Sequence, residues 1–115
     1  MVFTFNSDDK SLEVFPKKQD AIASCEGIDV EELPILFWGQ NGQALEAVFT
    51  KQNERGFCTV VSGAYHLAEN PNGKPLISIL EQVSYVEGKP PLNNIEAIRQ
   101  HLTNQDNLAN SLSTV

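Results

Sequence analysis

"ILFWGQNGQALEAVFT", residues 35–50, reads as strand, turn and strand. Ile35 to Trp38 is a continuous apolar run, the pattern of a strand covered on both faces. Asn41-Gly42 follows as a tight-turn signal, since both residue types tolerate the positive φ that short hairpin loops need. Beyond the turn, Leu45, Ala47 and Phe49 alternate with Glu46, Val48 and Thr50 and so share one face. A hairpin this clearly marked predicts an antiparallel sheet and frames the rest of the chain.

The reading extends outward in both directions. "VFTF" (2–5) alternates, "NSDDKS" is a polar turn, and "LEVF" (12–15) returns, which predicts an N-terminal hairpin. Downstream, "KQNERG" is a turn. "FCTVVSG" is a strand with Phe57, Thr59 and Val61 on one face, and "AYHLAE" continues it after a kink at Gly63. Residues 35–68 are therefore expected to form an antiparallel meander. Leu33-Pro34 breaks the chain into an extended lead-in to its first strand.

Three helix starts flank these strands. Pro16 opens a helix with Ala21, Ile22 and Cys25 on one side, ended by Gly27. Lys17 and Lys18 at its N-terminal end and Glu26 at its C-terminal end oppose the macrodipole. Pro75 opens a second helix, with Leu76, Ile79, Leu80 and Val83 at i, i+3, i+4 and i+7. "VEGKPP" is a linker. Asn93 is the expected N-cap of a third helix, with Glu96 three positions on and Leu92, Ile95, Ile98 and Leu102 as its buried stripe. Arg99 and His101 then fall near its end, where cations suit the dipole. The predicted class is α+β: an antiparallel sheet of about five or six strands with about three helices packed against it. Residues 1–103 form the single domain and 104–115 a fraying polar tail.

The 115 residues carry 15 acids and 8 bases, a net charge of -7. That disfavours nucleic acid and anionic membrane, because neutralising phosphates takes Lys and Arg. A basic partner is favoured instead. The charge is uneven: residues 1–69 hold eleven acids and five bases, and residues 70–115 hold four and three. No basic n-region with an apolar core opens the chain, and no apolar run approaches the ~20 residues of a membrane span. The expected location is the cytoplasm, with Cys25 and Cys58 as reduced thiols.

Signals for catalysis are sparse. The two cysteines are not in a CxxC arrangement, and a zinc site built from them with His66 and His101 has no recognisable spacing. Cys58 beside His66 lacks an orienting acid and a nucleophile elbow. "NPNGKP" is not a phosphate-binding loop, and "DVEE" does not supply a calcium loop. Paired acids at Asp8-Asp9 and Glu31-Glu32 lie in turns with no apolar pocket to raise a pKa. No cofactor or metal is expected, and the chain reads as a non-enzyme.

What stands out is "CEGIDVEELPILFWG" (25–39), with four acids between Glu26 and Glu32 directly before the apolar run. Between Lys18 and Lys51 there is no Lys or Arg. This acidic bend reads either as a solvated surface or as a binding element. Trp38 likewise reads as core or as an interface anchor, since Trp is enriched at binding hot spots.

"SLEVFPKKQDAIASCEGIDVEE", "LEAVF", "TVVSGAYHL" and "PPLNNIEAIRQHL" together resemble small acidic immunity proteins of bacterial contact-dependent growth inhibition and polymorphic-toxin systems. The resemblance spans residues 1–102. It implies a cytoplasmic antidote that binds the C-terminal toxin domain of a cognate effector, often a nuclease. It carries over no functional residue by motif. From charge alone, Glu26, Asp29, Glu31 and Glu32 are the first candidates for a plug in a basic cleft, with Trp38 beside them. Asp8, Asp9 and Glu54 mark other loops able to serve. A small binding module or effector chaperone, holding a partner without blocking an active site, is the alternative.

Overall fold

A computed structural model describes residues 1–32, 35–57 and 60–113. The Leu33-Pro34 lead-in, Cys58 and Thr59 lie outside the described residues, as does the Glu32 side chain. Eight strands and three α-helices are present among them. Strands β1 (Val2–Asn6), β2 (Ser11–Phe15), β3 (Ile35–Gly39), β4 (Ala44–Lys51), β7 (Ala64–Glu69) and β8 (Tyr85–Glu87) form one sheet, in the order β7-β4-β3-β1-β2-β8. Strands β5 (Glu54–Arg55) and β6 (Val60–Val61) form a separate two-stranded hairpin. The fold is α+β, with α1 (Lys18–Ser24), α2 (Gly27–Glu32) and α3 (Ile95–Ser113) set around the sheet.

The hairpin at residues 35–50 forms as its sequence requires. Gly39 donates its N–H to the Gln43 carbonyl, and Gly42 sits at φ +80°, where a side chain is strained. The β1–β2 hairpin pairs Val2 with Phe15 through Asn6 with Ser11, and β1 also pairs antiparallel with β3. One pairing departs from the expectation. Residues 85–87, of which Val86 and Glu87 read as the start of a linker, form β8 parallel to β2, so the sheet is mixed.

That strand explains the middle of the chain. The polypeptide leaves β7 at one edge of the sheet and must reach β8 at the other. Residues 70–84 cross one face of the sheet to do so. The 3-10 turns Leu76–Ser78 and Leu80–Gln82 replace the regular helix expected from Pro75. The side-chain reading nevertheless holds, because Leu76, Ile79, Leu80 and Val83 are all buried. Backbone bonds from Leu76 N to Gly42 O and from Ser84 N to Lys10 O tie down the two ends of the crossing.

Two cores result, one on each face. The first joins Phe3, Phe5, Leu12 and Trp38 of the sheet to the crossing segment and to Leu92, Ile98 and Leu102. The second joins Val2, Phe15, Phe37, Tyr65 and Leu67 to Ala21 of α1, with Val30 of α2 packed against it. Each fully buried large apolar side chain contributes about 1.5–3 kcal/mol.

The helix ends differ from expectation in detail. Lys17, not Pro16, is the residue before α1, and Lys18 donates from Nζ to the Leu67 carbonyl of β7 at 3.5 Å. A cation at the unfavourable end of the dipole thus ties the helix to the sheet. Asn94, one residue after Asn93, caps α3 by accepting the Ala97 N–H at 2.8 Å. The helix then runs to Ser113, through most of the segment read as a fraying tail. Arg99 and His101 consequently lie in its first half. His101 is fixed there by a 2.8 Å hydrogen bond between Nε2 and the Gln40 carbonyl.

Candidate partner-binding surface

The strand register collects the acidic loops at one end of the sheet. Asn6 stands opposite both Ser11 and Ile35, so the 7–10 turn and the start of β3 share an end. β4 runs antiparallel to β3 and carries Phe49 and Lys51 to that same end. The β5–β6 hairpin continues from there, and α2 lies beside it. Asp8, Asp9, Glu26, Asp29, Glu31 and Glu54 therefore fall toward the same end of the sheet. Lys10, Lys51 and Arg55 stand there too, so the region is predominantly rather than uniformly acidic.

The segment read as an acidic bend contains a helix, Gly27–Glu32. Six residues are too few to hold a helix in isolation. A single side chain supplies the missing support. Asn53 donates from Nδ2 to the Gly27 carbonyl at 3.0 Å and to the Glu31 carboxylate, and its Oδ1 accepts the Gly63 N–H at 2.7 Å. The first turn of α2, its last turn and the exit of the hairpin are thus joined at one amide. Gly63 is required by this packing, since a Cβ there would lie 1.9 Å from the Lys51 carbonyl oxygen.

Glu26 is also placed differently from the sequence reading. Its carbonyl accepts the Val30 N–H at 3.0 Å, so it precedes α2 rather than closing α1. Asp29 lies in the first turn of α2. Both carboxylates are therefore near the positive end of a helix, where negative charge is favoured. Glu31 is committed internally: besides Asn53, it pairs with Arg55 at 3.7 Å, an exposed contact of small energy. Glu54 neighbours Arg55 on β5, and strand alternation turns its side chain to the other face. No ion pair or hydrogen bond to Glu26, Asp29 or Glu54 side chains is found among the described residues.

Two of the expected site residues belong to the framework instead. Trp38 is 2% exposed and donates from Nε1 to the Lys74 carbonyl at 2.8 Å, so it is core and cannot anchor a partner. Asp9 accepts both the N–H and the hydroxyl of Ser11, at 3.0 and 2.6 Å. Those bonds, the hydroxyl's first, hold its carboxyl below the ordinary range. It closes its own turn, in which Lys10 has φ 58°. Asp8 is exposed beside it.

Of the aromatics in the β5–β6 hairpin and its connections, Phe57 faces solvent. Phe57 and Val61, expected to share one face of a strand, are 104% and 47% exposed. Phe57 sits on the connection of the β5–β6 hairpin, whose Arg55 pairs with Glu31 of the acidic helix. The sequence signal was present in "RGF", an aromatic placed directly after a charged turn residue and a glycine.

Below the hairpin, a groove of about 590 Å³ runs between α1 and the start of β7, lined by Ile22, Cys25, Glu26, Val61 and Tyr65. Tyr65 donates its hydroxyl to the Cys25 carbonyl at 2.6 Å. Burial, and then the charges of Glu13 and Asp29, push the Cys25 thiol up, away from nucleophilic use. Cys25 is a free thiol. Among the described residues no group of three or more His, Cys, Asp or Glu could hold a metal ion, and no helix is long and apolar enough to cross a membrane. The chain matches no protein-family model, no curated protein and no solved structure.

Proposed function

We propose that the chain is an immunity protein: a cytoplasmic antidote that binds the C-terminal toxin domain of a cognate effector, a basic nuclease, and occludes its active site. The observation that carries this reading is an acidic helix stapled to a hairpin whose connection exposes an aromatic. A nuclease cleft is basic because it holds phosphates. Glu26 just before α2 and Asp29 in its first turn offer it negative charge on a rigid support, which lowers the ordering cost of binding. Phe57 offers the apolar anchor that charge alone does not give, and Glu54 and Asp8 extend the acidic margin. The contact is between folded proteins, with no nucleic acid or membrane as partner and no reaction at the interface.

The test is co-expression with the protein encoded immediately upstream. A stoichiometric complex in which the partner's nuclease activity is lost supports the reading. A complex that leaves the activity intact supports the effector-chaperone alternative. Absence of any complex, with both proteins folded, overturns both.

A further inference from the structure

A second cleft, of about 540 Å³, lies at the opposite end of β2 from the Asp8-Asp9 turn. Its lining is mainly apolar, with Met1, Val14, Pro16, Pro91 and Leu92 around it. It is open to solvent rather than enclosed. Two carboxylates flank it in an unusual arrangement. Glu13 and Glu87 are direct partners in the β2–β8 register. Like charges directly opposite on neighbouring strands destabilise a sheet. Asp20 of α1 lines the same cleft. Lys89 lines it too, yet no ion pair to Glu13 or Glu87 is found among the described residues.

We infer that this cleft is a docking site for a short segment of a partner protein that carries an arginine or lysine between apolar residues. Charge complementarity fixes the occupant. A cation between Glu13 and Glu87 offsets their repulsion, and the apolar walls accept its aliphatic stem and neighbouring side chains. Arginine suits this best, because its guanidinium is weakly hydrated and presents paired donors to carboxylates. The same carboxylates repel nucleic acid and acidic segments. This site rests on none of the residues of the acidic helix, so it stands or falls independently of the immunity reading.

The experiment titrates the isotope-labelled full chain with acetyl-Leu-Arg-Leu-amide and follows amide shifts by NMR. The isosteric peptide with citrulline in place of arginine, which has no charge, is the control. The expected result is saturable shifts at Glu13, Val14, Glu87, Gly88 and Leu92. Binding should weaken about tenfold or more with citrulline or in the Glu13→Gln/Glu87→Gln double variant. That variant should stay folded, because removing a like-charge pair relieves strain. Equal binding of the two peptides, equal binding by the variant, shifts confined to α2 and the β5–β6 hairpin, or no saturable shift overturns the inference.

Discussion

Asn53 holds three backbone segments with one amide, and that makes it the most informative single residue. Asn53→Ala frees the Gly27 carbonyl, the Glu31 carboxylate and the Gly63 N–H together. The expected loss is about 1–3 kcal/mol by urea unfolding, the cost of leaving partly buried polar groups unpaired. Asn53→Asp should be at least as damaging, because it keeps the acceptor for Gly63 but sets a carboxylate against Glu31. A variant as stable as wild type would show that α2 stands without its staple. Trp38 and Phe57 make a contrasting pair. Trp38→Ala should cost about 3–5 kcal/mol through the cavity it leaves. As the only tryptophan, it should emit as a buried indole, with emission unchanged by partner binding. Phe57→Ala should leave stability within about 0.5 kcal/mol, as exposed substitutions do. It should weaken the proposed toxin complex by about 2 kcal/mol or more, as loss of a hot spot does. Calorimetry reads both effects, and unchanged affinity removes Phe57 from the interface.

At the scale of elements, the β2–β8 edge carries a pH dependence. Burial first, and then the Glu87 charge, push the Glu13 carboxyl up. Asp20, Cys25, Lys89 and His101 are the other titratable groups around it on α1, the 88–92 loop and α3. The folded state thus holds this proton more tightly than the unfolded chain does. Its stabilising effect is complete below the ordinary glutamate range and is lost as pH rises through the raised value. Glu13→Gln should therefore melt like wild type in acid and higher than wild type at neutral pH. A lower melt at neutral pH would contradict the assignment. The same edge shows why sequence reading stopped where it did. β8 is three residues long, too short to display a period, and its partner β2 is distant in sequence. Alternation put Phe57 and Val61 on one face, but could not tell that nothing covers it. The acids at 26–32 lack an apolar stripe, so a helix held by Asn53 from another element read as a bend. Where the period was long enough, at Leu76–Val83 and Leu92–Leu102, the buried residues were legible, even though at Leu76–Val83 the helix type was not.

At the scale of the molecule, antiparallel pairing decides which loops meet. The hairpins at 35–50 and 2–15 were readable, and their register brings Asp8, Asp9, α2 and the β5–β6 hairpin to one end. The acidic character of that end was legible in composition, but the division of labour within it was not. Asp9 and Glu31 are occupied by the fold, which leaves, among the described side chains of the 26–32 segment, Glu26 just before α2 and Asp29 in its first turn for a basic partner. The central claim is that these two charges steer and hold a toxin domain. The most direct measurement is the association rate with the cognate toxin domain at low and high salt, for wild type and for Glu26→Lys/Asp29→Lys, with thermal melts alongside. Wild type should associate fast at low salt and slow steeply as salt is added. The variant should keep its fold, associate about tenfold or more slowly at low salt, and show little salt dependence. A folded variant that associates as fast as wild type at low salt would contradict the account.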